Sequence, residues 1–163
     1  MMEEAASGRV ELRIPRQAQF VRVARLAACA LAAQLDFTYD VVKDIELAVA
    51  EACTNAVEHA VARPAGGRGK AAPAQALGAV ADDGCDEIVV RFASDSQQLV
   101  VEVIDRGQGF DPRAVEELEL EGERLGGLGL MVIRQVMDEV DIECDEQTGT
   151  CVRMVKYRAR EGR

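Results

Sequence analysis

The chain has 163 residues, 48% of them hydrophobic, which is enough for one domain with its own core and no need of disulfide or metal staples. Its 29 acids against 19 bases leave a net charge of −10, and only 4% of residues are aromatic, which argues against a general nucleic-acid binder with a basic patch and base-stacking platforms. The single histidine, His59, excludes a multi-histidine metal site.

Residues 1–8 carry no pattern and are expected to form a flexible terminus ahead of one domain over 9–160. Val10, Leu12 and Ile14 alternate with Arg9, Glu11 and Arg13, the period of a half-buried strand, and Pro15 ends it. From Gln17 to Leu35 the residues Phe20, Val23, Ala24, Ala27, Leu31 and Leu35 recur at helical spacing, with Arg22, Arg25 and Gln34 off the stripe. A second helix is expected to start near Thr38 or Asp40, either of which can cap it. Its stripe is Val41, Ile45, Ala48, Val49, Ala52, Ala56 and Ala60, ending near Val61. Residues 63–84 place Pro64, Gly66, Gly67, Gly69, Pro73, Gly78 and Gly84 among alanines and read as a low-complexity loop insertion.

Strand patterns resume at Glu87–Ala93 and Leu99–Ile104, joined by the polar turn Ser94–Gln98. A turn-rich, acidic stretch covers Asp105–Gly126, and a helix follows from about Gly127 to Asp138. Val140, Ile142 and Cys144 then alternate with Asp141, Glu143 and Asp145, and a turn at Glu146–Thr150 leads to a last strand, Cys151–Arg158. This order predicts an α+β fold: a two-layer α/β sandwich in which one mixed, mostly antiparallel sheet carries its helices on one face.

The five cysteines, Cys29, Cys53, Cys85, Cys144 and Cys151, are odd in number and never spaced C-x-x-C, which fits reduced thiols in the cytoplasm. The most apolar run, Leu26–Leu35, is too short to span a bilayer.

Three short motifs carry candidate chemistry. Glu51 and Asn55 are four residues apart and stack on one face of the second helix, with Glu58 on that face and His59 four beyond Asn55. Such a stripe is either a solvated face or a carboxylate–amide pair serving as base and metal ligand. An amide oxygen suits a hard ion such as Mg²⁺. Asp105-Arg-Gly107-Gln-Gly109 follows an apolar strand directly. It is either an ordinary turn or an acid that accepts a hydrogen bond from an amino group, beside glycines that let backbone approach a ligand. Gly126-Gly127-Leu128-Gly129 opens a helix, where free N–H groups favour phosphate. It is no Rossmann fingerprint, and Gly66–Lys70 is no P-loop, because Pro64 and Ala71 stand where that pattern needs Gly and Ser or Thr.

In this order the three motifs resemble the N, G1 and G2 boxes of the GHKL ATPase superfamily. The likeness is strongest to the anti-sigma-factor serine kinases of the RsbW and SpoIIAB type. It rests on Ala48-Val-Ala-Glu51-Ala-Cys-Thr-Asn55-Ala-Val-Glu-His59-Ala, on Thr38-Tyr39-Asp40, on Gly126–Leu130 and on Met137-Asp138-Glu139-Val140, and it runs from about Val10 to Tyr157.

The resemblance implies a Bergerat-type ATP site. Asn55 matches the Mg²⁺-binding asparagine, Glu51 the acid that activates the acceptor hydroxyl, and Asp105 the aspartate that reads the adenine amino group. Gly107 and Gly109 would let backbone pass the base, while Gly126, Gly127, Leu128 and Gly129 match the segment that approaches the phosphates. His59 matches a histidine of several relatives. The implied function is an ATP-dependent serine kinase and anti-sigma factor acting on an anti-anti-sigma protein of STAS type and on a sigma factor, as a homodimer, without direct contact to nucleic acid or membrane. A nucleotide-binding switch without kinase activity is the alternative. A self-phosphorylating histidine kinase fits poorly, since His59 lies inside the proposed nucleotide helix.

Two departures from the family pattern stand out. The 63–84 loop is longer than the short turn of those relatives, and the lid, 110–125, carries Glu116, Glu117, Glu119, Glu121 and Glu123 against Arg113 and Arg124. Arg124, or Arg106, is the candidate for the phosphates. Residues 82–163 hold 20 acids and 10 bases, so the acidity of the chain is concentrated there.

Overall fold

The computed structural model describes residues 8–58, 87–105, 128–145 and 149–159. The elements run β1 (Gly8–Pro15), α1 (Ala18–Gln34), α2 (Tyr39–Glu58), β2 (Glu87–Ser94), β3 (Gln98–Asp105), α3 (Leu128–Val136), β4 (Glu139–Asp145) and β5 (Gly149–Tyr157). Every element expected from the sequence is present, within one to three residues at each end described. The loop at 63–84, the lid at 110–125 and His59, Arg106, Gly107, Gly109, Arg124, Gly126 and Gly127 lie outside the described residues.

The strands form one sheet in the order β1-β2-β3-β5-β4. All four pairings are antiparallel, so the expected mixed character narrows to a purely antiparallel sheet among the described strands. The register sorts the side chains into two faces. One carries Ile14, Ile88, Val90, Phe92, Leu99, Val101, Val103, Val152 and Met154, all buried beneath the helices. Burying such side chains stabilises the fold by roughly 1.5–3 kcal/mol each.

The helices pack through alanine. Ala24, Ala28 and Ala32 of α1 and Ala48, Ala52 and Ala56 of α2 are buried, and their small side chains let the two backbones approach. The α1 stripe is rotated from the sequence expectation: Val21 is buried and Val23 is 44% exposed. In Phe20-Val-Arg-Val23 both valines satisfy a helical period within one turn, and packing against β1 and α2 decides between them.

Helix α1 ends in a left-handed turn at Asp36, whose φ is 57°. The Phe37 N–H reaches the Ala32 carbonyl and the Asp36 N–H the Ala33 carbonyl, both at 3.4 Å, which together close a Schellman motif. Glycine holds this conformation without the Cβ penalty that Asp36 carries. Asp36→Gly is therefore expected to raise stability by about 0.5–1 kcal/mol, read as a higher urea midpoint at unchanged slope.

The sheet face that no helix covers among the described residues bears a row of charge that alternates strand by strand. Glu11 of β1 stands opposite Arg91 of β2, Arg91 opposite Glu102 of β3, Glu102 opposite Arg153 of β5, and Arg153 opposite Asp141 of β4. Arg91 Nε lies 2.9 Å from Glu11 Oε2, and Arg153 Nε lies 4.0 Å from Glu102 Oε1. Val89 and Val155 on the same face are buried although no helix among the described residues covers them; Val89 stands between Arg13 and Ile104, and Val155 between Val100 and Glu139. The same register puts Cys144 and Cys151 on opposite faces, so the β4–β5 hairpin cannot close a disulfide between them.

Candidate active site

Glu51 and Asn55 project from α2, one turn apart, and both are half-buried. They are not a solvated stripe, because α3 packs against them. A Cβ added to Gly129 would stand 3.0 Å from Glu51 Oε2 and 3.2 Å from each of the two Asn55 amide atoms. Only a residue without a side chain lets the first turn of α3 come this close. Gly129 itself is buried, whereas Leu128 beside it is 55% exposed. Two of the three sequence motifs therefore meet in space.

The third motif is represented by Asp105, the last residue of β3. It pairs with Ile88 on one side and Thr150 on the other, so it lies on the helix-covered face. The strands place it at the end of the sheet toward which the N-terminus of α3 points, since the C-terminus of α3 leads into β4 opposite Val155.

Thr150 is a residue that the sequence reading assigned to a turn. The structure puts it in β5, directly opposite Asp105 and on the same face, and 4% exposed. Its Oγ1 lies 4.0 Å from Cys144 Sγ. It is the one polar side chain among the buried residues described. Gly149 before it, at φ 93°, makes the turn that starts the strand. A Gly-Thr pair heading an alternating segment was the available signal.

On the other side of Glu51, α1 and α2 enclose a groove of about 650 Å³. Arg22, Arg25, Lys43, Glu46, Glu51 and Glu58 supply its charge. Glu51 thus borders both the groove and the α3 contact. In the groove wall Glu46 takes Lys43 Nζ at 2.7 Å and Arg25 Nη2 at 2.8 Å. The Lys43 and Arg25 hydrogen bonds hold its carboxyl down to about 2, against an ordinary 4.5. Burial, followed by the same carboxylate, pushes the Cys29 thiol up. Burial alone pushes Cys53 up to about 12, which makes it an inert core residue.

The Glu46 clamp has a pH signature. A carboxyl depressed on folding contributes stability that is complete above about 4.5 and is lost as pH falls toward 2. Glu46→Gln is expected to lower the urea midpoint at pH 7, with the gap to wild type closing progressively below pH 4.5. A gap of constant size from pH 7 to pH 3 would show that the clamp does not act through its charge.

The donor set suits a metal-bound triphosphate. The Asn55 amide oxygen could serve a hard cation that keeps most of its water and phosphate ligands, with the Glu51 carboxylate beside it. The start of α3 brings free backbone N–H groups and a favourable helix dipole to the same place. No helix among the described residues is long and apolar enough to cross a membrane.

Comparison with known proteins identifies the family. Residues 14–156 match the family model of the histidine kinase-like ATPase domain. The serine-protein kinase RsbW of Bacillus licheniformis is 30% identical over 96% of this chain and 89% of its own length. RsbW of Bacillus subtilis is 30% identical over 91% of this chain and 84% of its own, and RsbW of Listeria monocytogenes is 34% identical over 91% and 87%. The chain therefore belongs to the histidine kinase-like ATPase family, among the relatives of the RsbW serine-protein kinases.

Proposed function

We propose that the protein is an ATP-dependent serine kinase that phosphorylates an anti-anti-sigma protein of STAS type and, as a homodimer, sequesters a sigma factor. The observation that carries this reading is the convergence of Glu51, Asn55 and Gly129, reinforced by the similarity to serine-protein kinases. ATP supplies the phosphoryl group, and Mg²⁺, held in part by Asn55, neutralises the charge on its oxygens.

Glu51 is the general base of this proposal. Its carboxylate takes the proton of the acceptor serine as the serine oxygen bonds to the γ-phosphorus and the bond to the bridging oxygen of ADP breaks. The α1–α2 groove is the approach for that serine, because Glu51 is reached from it without disturbing α3. Asp105 receives the adenine amino group, with the Thr150 hydroxyl beside it. By the family resemblance Gly107 and Gly109 are assigned to the base, and Gly126, Gly127, Leu128 and Gly129 to the phosphates. By the same resemblance Arg124 is assigned to the phosphates and His59 to the nucleotide site.

Incubation with ATP, Mg²⁺ and an anti-anti-sigma protein from the same genome tests the reading. Phosphoserine on that protein, with ADP formed in equal amount, is the expected result. The acidic residues of 110–125 favour a second reading, a nucleotide-dependent switch, since negative charge over a triphosphate opposes transfer. Tight ATP binding with no phosphoserine on any cognate partner would replace the first reading by the second.

A further inference from the structure

The stretch Met137-Asp138-Glu139-Val140 takes no part in the site, yet side-chain and backbone hydrogen bonds tie it closely to β5. Helix α3 has nine residues, Leu128–Val136, and so is about 13 Å long, with Gly129 near the site end and Val136 at the far end of the sheet. At that far end Lys156 Nζ donates to the Val136 carbonyl at 2.7 Å, placing a cation on the C-terminal end of the helix dipole. Asp138 Oδ1 accepts from the same ammonium at 3.2 Å, and its Oδ2 accepts the Tyr157 N–H at 2.7 Å. The Asp138 N–H in turn donates to the Val155 carbonyl at 3.0 Å. The Lys156 side chain is only 14% exposed.

These bonds do something that the rest of the α3 packing does not. Leu130 and Ile133 bury α3 in the core, but apolar contact is non-directional and resists separation more than sliding. The Gly129 end has no room for sliding. Any slide or turn of α3 that put a side chain where the Gly129 backbone now lies would press it against Glu51 and Asn55, where even a methyl group meets atoms at 3.0–3.2 Å. A directional anchor at the other end is what sets the position.

We propose that Lys156 and Asp138 are positioning residues for nucleotide binding. They peg the C-terminal end of α3 to β5 and so fix how far the Gly129 end reaches along Glu51 and Asn55. The inference rests on the reading of this site as an ATP site.

The test compares wild type with Lys156→Met, Asp138→Asn and Lys156→Arg. Affinity for a fluorescent ATP analogue with Mg²⁺ is measured at a temperature well below the separately determined Tm of each variant, where all are folded. Lys156→Met is expected to weaken binding about tenfold, and Lys156→Arg, which retains donors for Val136 and Asp138, to recover it to within about threefold. Amide exchange in nucleotide-free protein is expected to quicken across residues 130–133 of α3 and to stay unchanged in α2. If Lys156→Met does not fold, Asp138→Asn gives the same comparison with a side chain of equal size. A lower Tm with unchanged affinity and unchanged α3 exchange would reduce the peg to a structural element and overturn the proposal. Wild-type protein that binds no ATP analogue would overturn the ATP reading itself, and this inference with it.

Discussion

Glu51→Gln is expected to slow transfer to the acceptor serine by roughly 10²–10⁴-fold while leaving ATP affinity within about threefold of wild type. The substitution keeps the size of the side chain and so keeps the contact with Gly129, where Oε2 stands 3.0 Å from the position a Cβ would take. It removes the negative charge and the proton acceptor. The loss corresponds to about 3–5 kcal/mol of transition-state stabilisation, too much for a residue that only fills space. Single-turnover rates at saturating ATP isolate the effect from binding. A fall of less than tenfold would assign Glu51 to packing and leave the proton to solvent. Tighter ATP binding in the variant would be equally informative, since removing a carboxylate near phosphates relieves repulsion in the ground state.

Gly129→Ala sets two effects against each other, and the sign of the outcome decides which prevails. Alanine is the better helix former by about 1 kcal/mol, so on local propensity the variant is stabilised. The added methyl, however, meets Glu51 and both atoms of the Asn55 amide at 3.0–3.2 Å. Overpacking of this kind costs about 1–3 kcal/mol, and relief requires α3 to back away or the two side chains to turn aside. Either movement displaces the groups proposed to hold Mg²⁺ and the phosphates. ATP affinity is expected to fall about 10–100-fold, with no gain in Tm for the nucleotide-free protein. Calorimetric titration and thermal unfolding measure the two quantities separately. A variant that is more stable and binds ATP normally would detach α3 from the site.

The parts of the fold visible in the sequence were those fixed by local periodicity. Alternation marks Leu12 and Ile14 and again Val140 and Ile142, an apolar run marks Leu99–Ile104, and spacing by three and four marks Ile45, Ala48, Val49 and Ala52. Hairpin spacing implies the β2–β3 and β4–β5 pairs. The β1–β2 and β3–β5 pairs join strands separated by helices, and nothing local specifies them. The rotation of α1 was hidden because an alanine-rich helix offers little contrast between faces. At the site the Glu51–Asn55 spacing was legible as one turn of helix, but its closure by Gly129 is a tertiary contact. Thr150 was missed for a related reason. A threonine after a glycine reads as a turn until the register shows Asp105 beside it.

The alternating row on the sheet face away from α1, α2 and α3 also limits how two copies of the chain can meet there. From β1 to β4 it reads negative, positive, negative, positive, negative, and it reads the same in reverse. A two-fold axis through its centre therefore sets like charge over like, whether the axis runs along the row or across it. Opposite charges face each other only when the second copy is displaced by one strand, about 4.8 Å, which leaves an end strand uncovered on each copy. As far as this row goes, a symmetric face-to-face contact on this side of the sheet favours off-centre registers, and inverting the sign of a single strand in the row would move the preferred register.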